Sequence, residues 1–160
     1  MGEERAGIFT DPSSGKWVWE GNQLFDQLGT MIAEVRTDVI YVGQERLLVE
    51  YSPGPFRFRA RATSANGDVF TLSQAGYTVN KLEADCAGRR YVLERISMWR
   101  KERRIRTAGG KQAAVVRPMV SGKVEVSDDP ADEQLPTVDA VFLTWGCVLV
   151  DSPVRRPRLA

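Results

Sequence analysis

The feature that most constrains this chain is its last apolar stretch, Val138 to Val150 (VDAVFLTWGCVLV), which follows a long succession of short strand-like segments and turns. A strand-rich chain closed by one uniformly apolar segment suggests a sheet that wraps around that segment. A membrane-spanning helix needs about 20 consecutive apolar residues. This stretch is shorter and carries Asp139, so it reads as a buried core element. Val, Phe and Thr would also allow a central strand. Its length and the preceding Pro136, which suits a first helical turn, favour a helix over 137–150. Asp139 would then sit near the positive pole of the helix dipole.

At 160 residues the chain is long enough for one domain with a sizeable core, and its 42% apolar and 27% charged content is ordinary for a globular protein. The formal net charge of +1 gives no bulk reason to expect nucleic acid, but the charge is unevenly spread. Arg89, Arg90, Arg95, Arg100, Lys101, Arg103, Arg104, Arg106, Lys111 and Arg117 face only Glu94 and Glu102 in the middle of the chain. Glu125, Asp128, Asp129, Asp132, Glu133 and Asp139 then follow without a base.

There is no histidine, which removes His-based acid–base catalysis, Ser-His-Asp and Cys-His systems, and His-ligated metals. Cys86 and Cys147 cannot make a structural zinc site alone. Cys147, inside the apolar run, reads as a small buried hydrophobe, and Cys86, near a turn, as partly exposed. A disulfide between them has no support, and the composition fits a reducing cytoplasm. The segment MGEERAGIFTDPSSGK lacks the apolar run of a signal peptide.

Along the chain, 1–15 reads as a flexible arm, 16–151 as a single barrel domain, and 152–160 as a flexible basic tail. Lys16 to Glu20, Met31 to Val35, Val39 to Val42 and Arg46 to Tyr51 read as strands. Asn22 to Gly29 is ambiguous, with Leu24, Phe25 and Leu28 at helical spacing over too short a length. Ser52-Pro53-Gly54-Pro55 is a strong turn signal. In FRFRARAT (Phe56 to Thr63), Phe56, Phe58, Ala60 and Ala62 alternate with Arg57, Arg59, Arg61 and Thr63, so one face is buried and the other carries three arginines. Asn66-Gly67 returns the chain into Asp68 to Gln74. Tyr77 to Ala84 and Tyr91 to Met98 read as a hairpin around Ala87-Gly88-Arg89. Lys101 to Thr107 and Gln112 to Pro118 form another around Gly109-Gly110, and Lys123 to Val126 is a last strand. Ser127 to Pro136 is polar, acidic and broken by prolines, and reads as a linker.

The fold class expected is mainly β: an antiparallel β-barrel of hairpins enclosing, or capped by, a hydrophobic C-terminal α-helix. In its order of parts, carried by DVFTLSQAGYTVNKLEA, RRIRTAGGKQAAVV and the terminal helix, the chain resembles the tubby-like group. That group includes LURP-one-related proteins and phospholipid scramblases. The resemblance spans roughly Trp17 to Val150 and implies a closed barrel of about a dozen strands around the helix. Lipocalin-like and other small barrels share the hairpin pattern. The ligand the resemblance implies is a phosphoinositide or another anionic phospholipid, and it carries over no single ligand residue.

Two basic sets are candidate ligand-binding residues. Arg57, Arg59 and Arg61 stand about 7 Å apart on one strand face, a spacing from which guanidiniums grip phosphates by forked hydrogen bonds. The same face also reads as plain solvated charge. Arg100, Lys101, Arg103, Arg104 and Arg106 follow Trp99. Arg100, Arg104 and Arg106 would share one face, and Lys101, Arg103 and Ile105 the other, so this strand is expected at a rim or as a projecting ribbon. Such a patch suits anionic headgroups. The acids Asp128, Asp129, Asp132 and Glu133 lack an EF-hand pattern and read as linker. Walker A and GxSxG motifs are absent.

The sequence thus favours a non-enzymatic barrel without cofactor or metal that binds an anionic membrane lipid surface peripherally from the cytoplasm. The alternative is a protein-interaction or structural module. An enzyme would have to rely on carboxylates, Lys, Tyr or Cys86, and nucleic acid ranks below lipid, because no aromatic-basic RNA motif is present.

Overall fold

A computed structural model describes residues 15–52, 57–97, 99–128 and 132–151. Twelve strands come first in the chain: β1 (Lys16–Glu20), β2 (Gln23–Asp26), β3 (Met31–Arg36), β4 (Val39–Val42), β5 (Glu45–Ser52) and β6 (Arg59–Ser64). Then come β7 (Val69–Gln74), β8 (Lys81–Cys86), β9 (Arg89–Arg95), β10 (Arg103–Thr107), β11 (Gln112–Pro118) and β12 (Val124–Ser127). The last element is a helix, α1 (Thr137–Asp151).

Each strand pairs antiparallel with the next, and β1 closes the ring on β12 through Trp17 opposite Val126 and Trp19 opposite Val124. The result is an up-and-down barrel in which no strand edge is left open. Short turns make this order possible. Thr37 and Asp38 both take positive φ (48° and 66°) and join β3 to β4 in two residues, the backbone that matches strand twist in a tight hairpin.

Helix α1 fills the barrel. Ala140 to Thr144 and Gly146 to Val148 are buried in succession, so the helix is covered on every side, as an element apolar all round must be. Phe142 meets Phe70 at 5.7 Å and Trp145 meets Trp19 at 5.0 Å between ring centres. Gly146 lets β7 approach, since a Cβ there would lie 2.2 Å from Leu72. The Trp19 indole donates to Thr144 Oγ1 (2.9 Å), whose hydroxyl donates to the Ala140 carbonyl (2.8 Å), so both buried polar groups are satisfied.

Several expectations need correction. Asn22 to Gly29 contains strand β2, because Gly21 and Gly29 leave too few residues for a helix and Leu24 points into the core. Strand β8 starts at Lys81, and Tyr77 to Asn80 belong to a loop. The turn before β9 is Ala87-Gly88 alone, so Arg89 already belongs to the strand. Cys86 is buried, since its parity on β8 places it inside, and both cysteines are free. Residues 103–107 do not form a rim ribbon, since β10 is an ordinary barrel strand between β9 and β11, and residues 100–102 lie in the connection before it. The Pro53–Pro55 turn, residues 1–14 and the tail 152–160 lie outside the described residues.

Candidate anion-binding face

The alternation in FRFRARAT holds over the described part. Phe58, Ala60 and Ala62 are buried, and Arg57, Arg59 and Arg61 point outward. The neighbouring strand β7 supplies Ser73 opposite Arg59 and Thr71 opposite Arg61, so this side of the arginine row meets hydroxyls. Gln74 fixes the upper end. Its side-chain oxygen accepts from the Phe58 backbone amide (2.7 Å), and its backbone amide donates to the Phe58 carbonyl (3.2 Å). At the lower end Ser64 Oγ accepts from the Asn66 and Asp68 amides, which pins the hairpin turn.

Two depressions follow this row. One, of about 400 Å³, lies among Arg57, Arg59, Ser73, Gln74 and Tyr77. The next, of about 350 Å³, lies among Arg59, Arg61, Thr71 and Ser73. They share Arg59 and Ser73 and form one shallow groove. Among the described residues no carboxylate reaches ion-pair distance of Arg57, Arg59 or Arg61, although Glu50 sits opposite Arg61 in register. Several other outer arginines are paired, as in Arg90–Asp85 (3.6 Å), Arg106–Glu94 (3.5 Å) and Arg117–Glu125 (2.7 Å). Hydrogen bonds and charge from Arg117 and Lys16 outweigh partial burial and hold the Glu125 carboxyl below its ordinary value. A third depression, about 430 Å³, sets Glu83 and Asp85 beside Arg90 on the open outer face, two carboxylates to one cation.

The second basic set does not assemble as expected. Arg100 is exposed in the connection before β10, and Lys101 Nζ lies 3.5 Å from the Asp151 carbonyl. Arg104 and Arg106 point outward, with the Arg104 Nε buried and unbonded and Arg106 paired to Glu94. Arg103 turns inward, is 0% exposed and binds Asp151, so it leaves the expected basic surface. β6 and β10 are four strand steps apart, about 19 Å along the sheet, so the two sets are not one patch.

Two buried clusters escaped the sequence reading. At the start of α1, Asp139 accepts from Arg89 (2.7 and 2.8 Å) and from the Tyr91 hydroxyl (2.5 Å). Burial, then the Asp139 hydrogen bond, raises the Tyr91 phenol pKa, and the bond to Asp139 raises that of Arg89. At the end of α1, Asp151 accepts from Arg103 and from Arg95 (2.9 Å). Burial works against the Arg103 cation, and the hydrogen bonds and charge of Asp151 outweigh it. The available signal was parity: Arg89, Tyr91 and Arg95 share a strand face with Leu93, and Arg103 shares one with Ile105.

The acidic linker lies against β11, where Gln112 donates to Asp132 (3.3 Å) and accepts from the Glu133 amide (2.9 Å). Asp129 is outside the described residues. Among the described residues no cluster of His, Cys, Asp or Glu is arranged to hold a metal ion. No helix among them is long and apolar enough to cross a membrane. Comparison with family models, curated proteins and solved structures gives no match.

Proposed function

We propose that this protein is a non-enzymatic binding domain of the tubby-like kind, holding anionic phospholipid headgroups on the outer face of β6 and β7. The observation that carries the reading is the row Arg57, Arg59 and Arg61, grooved, flanked by Ser73 and Thr71, and without a carboxylate partner among the described residues. Unpaired guanidiniums at strand spacing offer forked donors to phosphate oxygens. Hydroxyls beside them add neutral donors to the same oxygens. The resemblance to the tubby-like group supplies the ligand class, and the architecture of barrel and central helix is compatible with it.

The lipid is met from outside. The outer wall carries Arg59, Arg61, Lys81, Glu83 and Arg90, which is the reverse of the apolar band that faces hydrocarbon in a membrane-spanning barrel. The carboxylates Glu83 and Asp85 lie on open surface, with none of the enclosure that carboxylate catalysis requires.

The test is titration with soluble inositol trisphosphate and flotation with phosphatidylinositol bisphosphate vesicles against pure phosphatidylcholine. Binding is expected to weaken as salt rises and to fall at least about tenfold in the triple variant Arg57→Ser, Arg59→Ser, Arg61→Ser. Absence of binding at low salt, or full binding by the triple variant, ends the proposal.

A further inference from the structure

We infer that the rim surrounding the C-terminal end of α1 inserts apolar loop tips into the interface of an anionic bilayer. The inference rests on the headgroup reading above and extends it to a second, apolar contact.

The two ion clusters orient the barrel. Strand β9 runs alongside α1, with Arg89 at the Asp139 end and Arg95 at the Asp151 end. In an up-and-down barrel every second connection shares a rim, so the connections β7–β8, β9–β10 and β11–β12 gather around the helix C-terminus. They are consecutive along that rim.

These three connections hold Tyr77 (100% exposed), Ile96, Trp99 (92% exposed), Met119 and Val120, most of the large apolar side chains that the described surface leaves in water. Beneath the opposite rim Asn66-Gly67, Ala87-Gly88 and Gly109-Gly110 make bare turns, and the exposed apolar residues there are Leu28 and Met31 around β2–β3. An exposed indole and phenol at loop tips match the amphipathic side chains that settle at a membrane interface.

Charge favours the same occupant. Arg57 and Arg100 stand at this rim with no carboxylate at ion-pair distance among the described residues, and Lys123 pairs with Glu20 at 3.5 Å. Each unpaired base near an anionic leaflet adds attraction. Tyr77 belongs both to the rim and to the groove of Arg57 and Arg59. A bilayer that accepted the tips would therefore bring its phosphates level with those arginines. The tips come from separate connections about 10 Å apart, two strand spacings. They form a row of protrusions, which suits a fluid surface better than the shaped pocket of a protein partner.

The test uses the full chain and mixed phosphatidylcholine–phosphatidylserine vesicles whose acyl chains carry bromine. Trp17 and Trp19 are buried in the barrel and Trp145 is packed half-buried against Trp19, so the spectrum lost in Trp99→Ser reports the rim. Trp99 emission is expected to shift blue and be quenched. The double variant Trp99→Ser, Val120→Ser should lose about tenfold in vesicle partition while binding inositol trisphosphate and unfolding as the parent does. Unshifted Trp99 on vesicles that do hold the protein, or undiminished partition by the double variant, overturns the rim inference and leaves the arginine reading standing. Quenched Trp99 without any trisphosphate binding does the reverse.

Discussion

The two ends of the central helix hold the same kind of group, a buried aspartate, by different means. Asp139 sits in the first turn, where the helix dipole already favours a negative charge, and its arginine, Arg89, remains 44% exposed. Asp151 sits in the last turn, where the dipole opposes it. There two arginines converge on it, one of them 0% exposed, and Lys101 approaches the carbonyl. The comparison teaches that inward charge is concentrated where the helix itself gives no help. It also shows why Arg95 and Arg103, paired opposite each other in the sheet, tolerate their proximity: one carboxylate neutralises both.

Breaking the two ends should separate them. Arg103→Met removes the fully buried partner and is expected to cost about 3–5 kcal/mol in urea unfolding, because Asp151 is left buried beside Arg95 alone. The double variant Arg103→Met, Asp151→Leu should recover much of that loss. A double variant as unstable as the single one would mean that the arginine matters for its packing rather than its charge. Arg89→Met at the other end should cost less, about 1–3 kcal/mol, since Arg89 itself is 44% exposed, the helix dipole favours Asp139 and Tyr91 still donates to it.

An effect that vanishes near neutrality concerns pH. Burial pushes the Cys147 thiol up to about 12 and raises Cys86 and the Tyr91 phenol as well. A folded pKa above the unfolded one means that the unfolded chain releases its proton first. The stabilisation is complete below the ordinary thiol value and is lost as pH climbs from about 9 toward 12. Each group steepens the loss by at most about 1.4 kcal/mol per pH unit. Urea midpoints measured from pH 7 to high pH should show this alkaline slope, and Cys147→Ala should flatten it. An unchanged slope in that variant would place the alkaline sensitivity at the Tyr91 end.

Much of the architecture was legible because it follows from periodicity. The alternation around Arg59 and Arg61 could bury only one face, and Val138 to Val150 was apolar enough to call for burial yet too short to span a membrane. What escaped was the inward charge. An arginine in a basic run reads as solvated by default, and parity with Ile105 alone cannot outweigh that expectation. Only the partner from the far end of the chain, Asp151, makes a buried Arg103 affordable. Local spacing misled at Leu24, Phe25 and Leu28, where three apolar residues mimic a helical face although flanking glycines confine the segment to one short strand. The arginine row itself was visible, but that no carboxylate among the described residues comes within ion-pair distance of it depends on β5 and β7, and register is a three-dimensional fact.

The barrel's seam carries a temporal consequence. The helix that fills the interior is made after every strand that surrounds it, and the pairing of β1 with β12 joins segments more than a hundred residues apart, Trp17 with Val126. Contacts of that separation form slowly. During synthesis the hairpins accumulate without an inside, and the ring has reason to close only once its filling arrives. A ribosome that stalled before Thr137 would leave a sheet with inward-facing Leu, Phe and Trp and nothing to set them against.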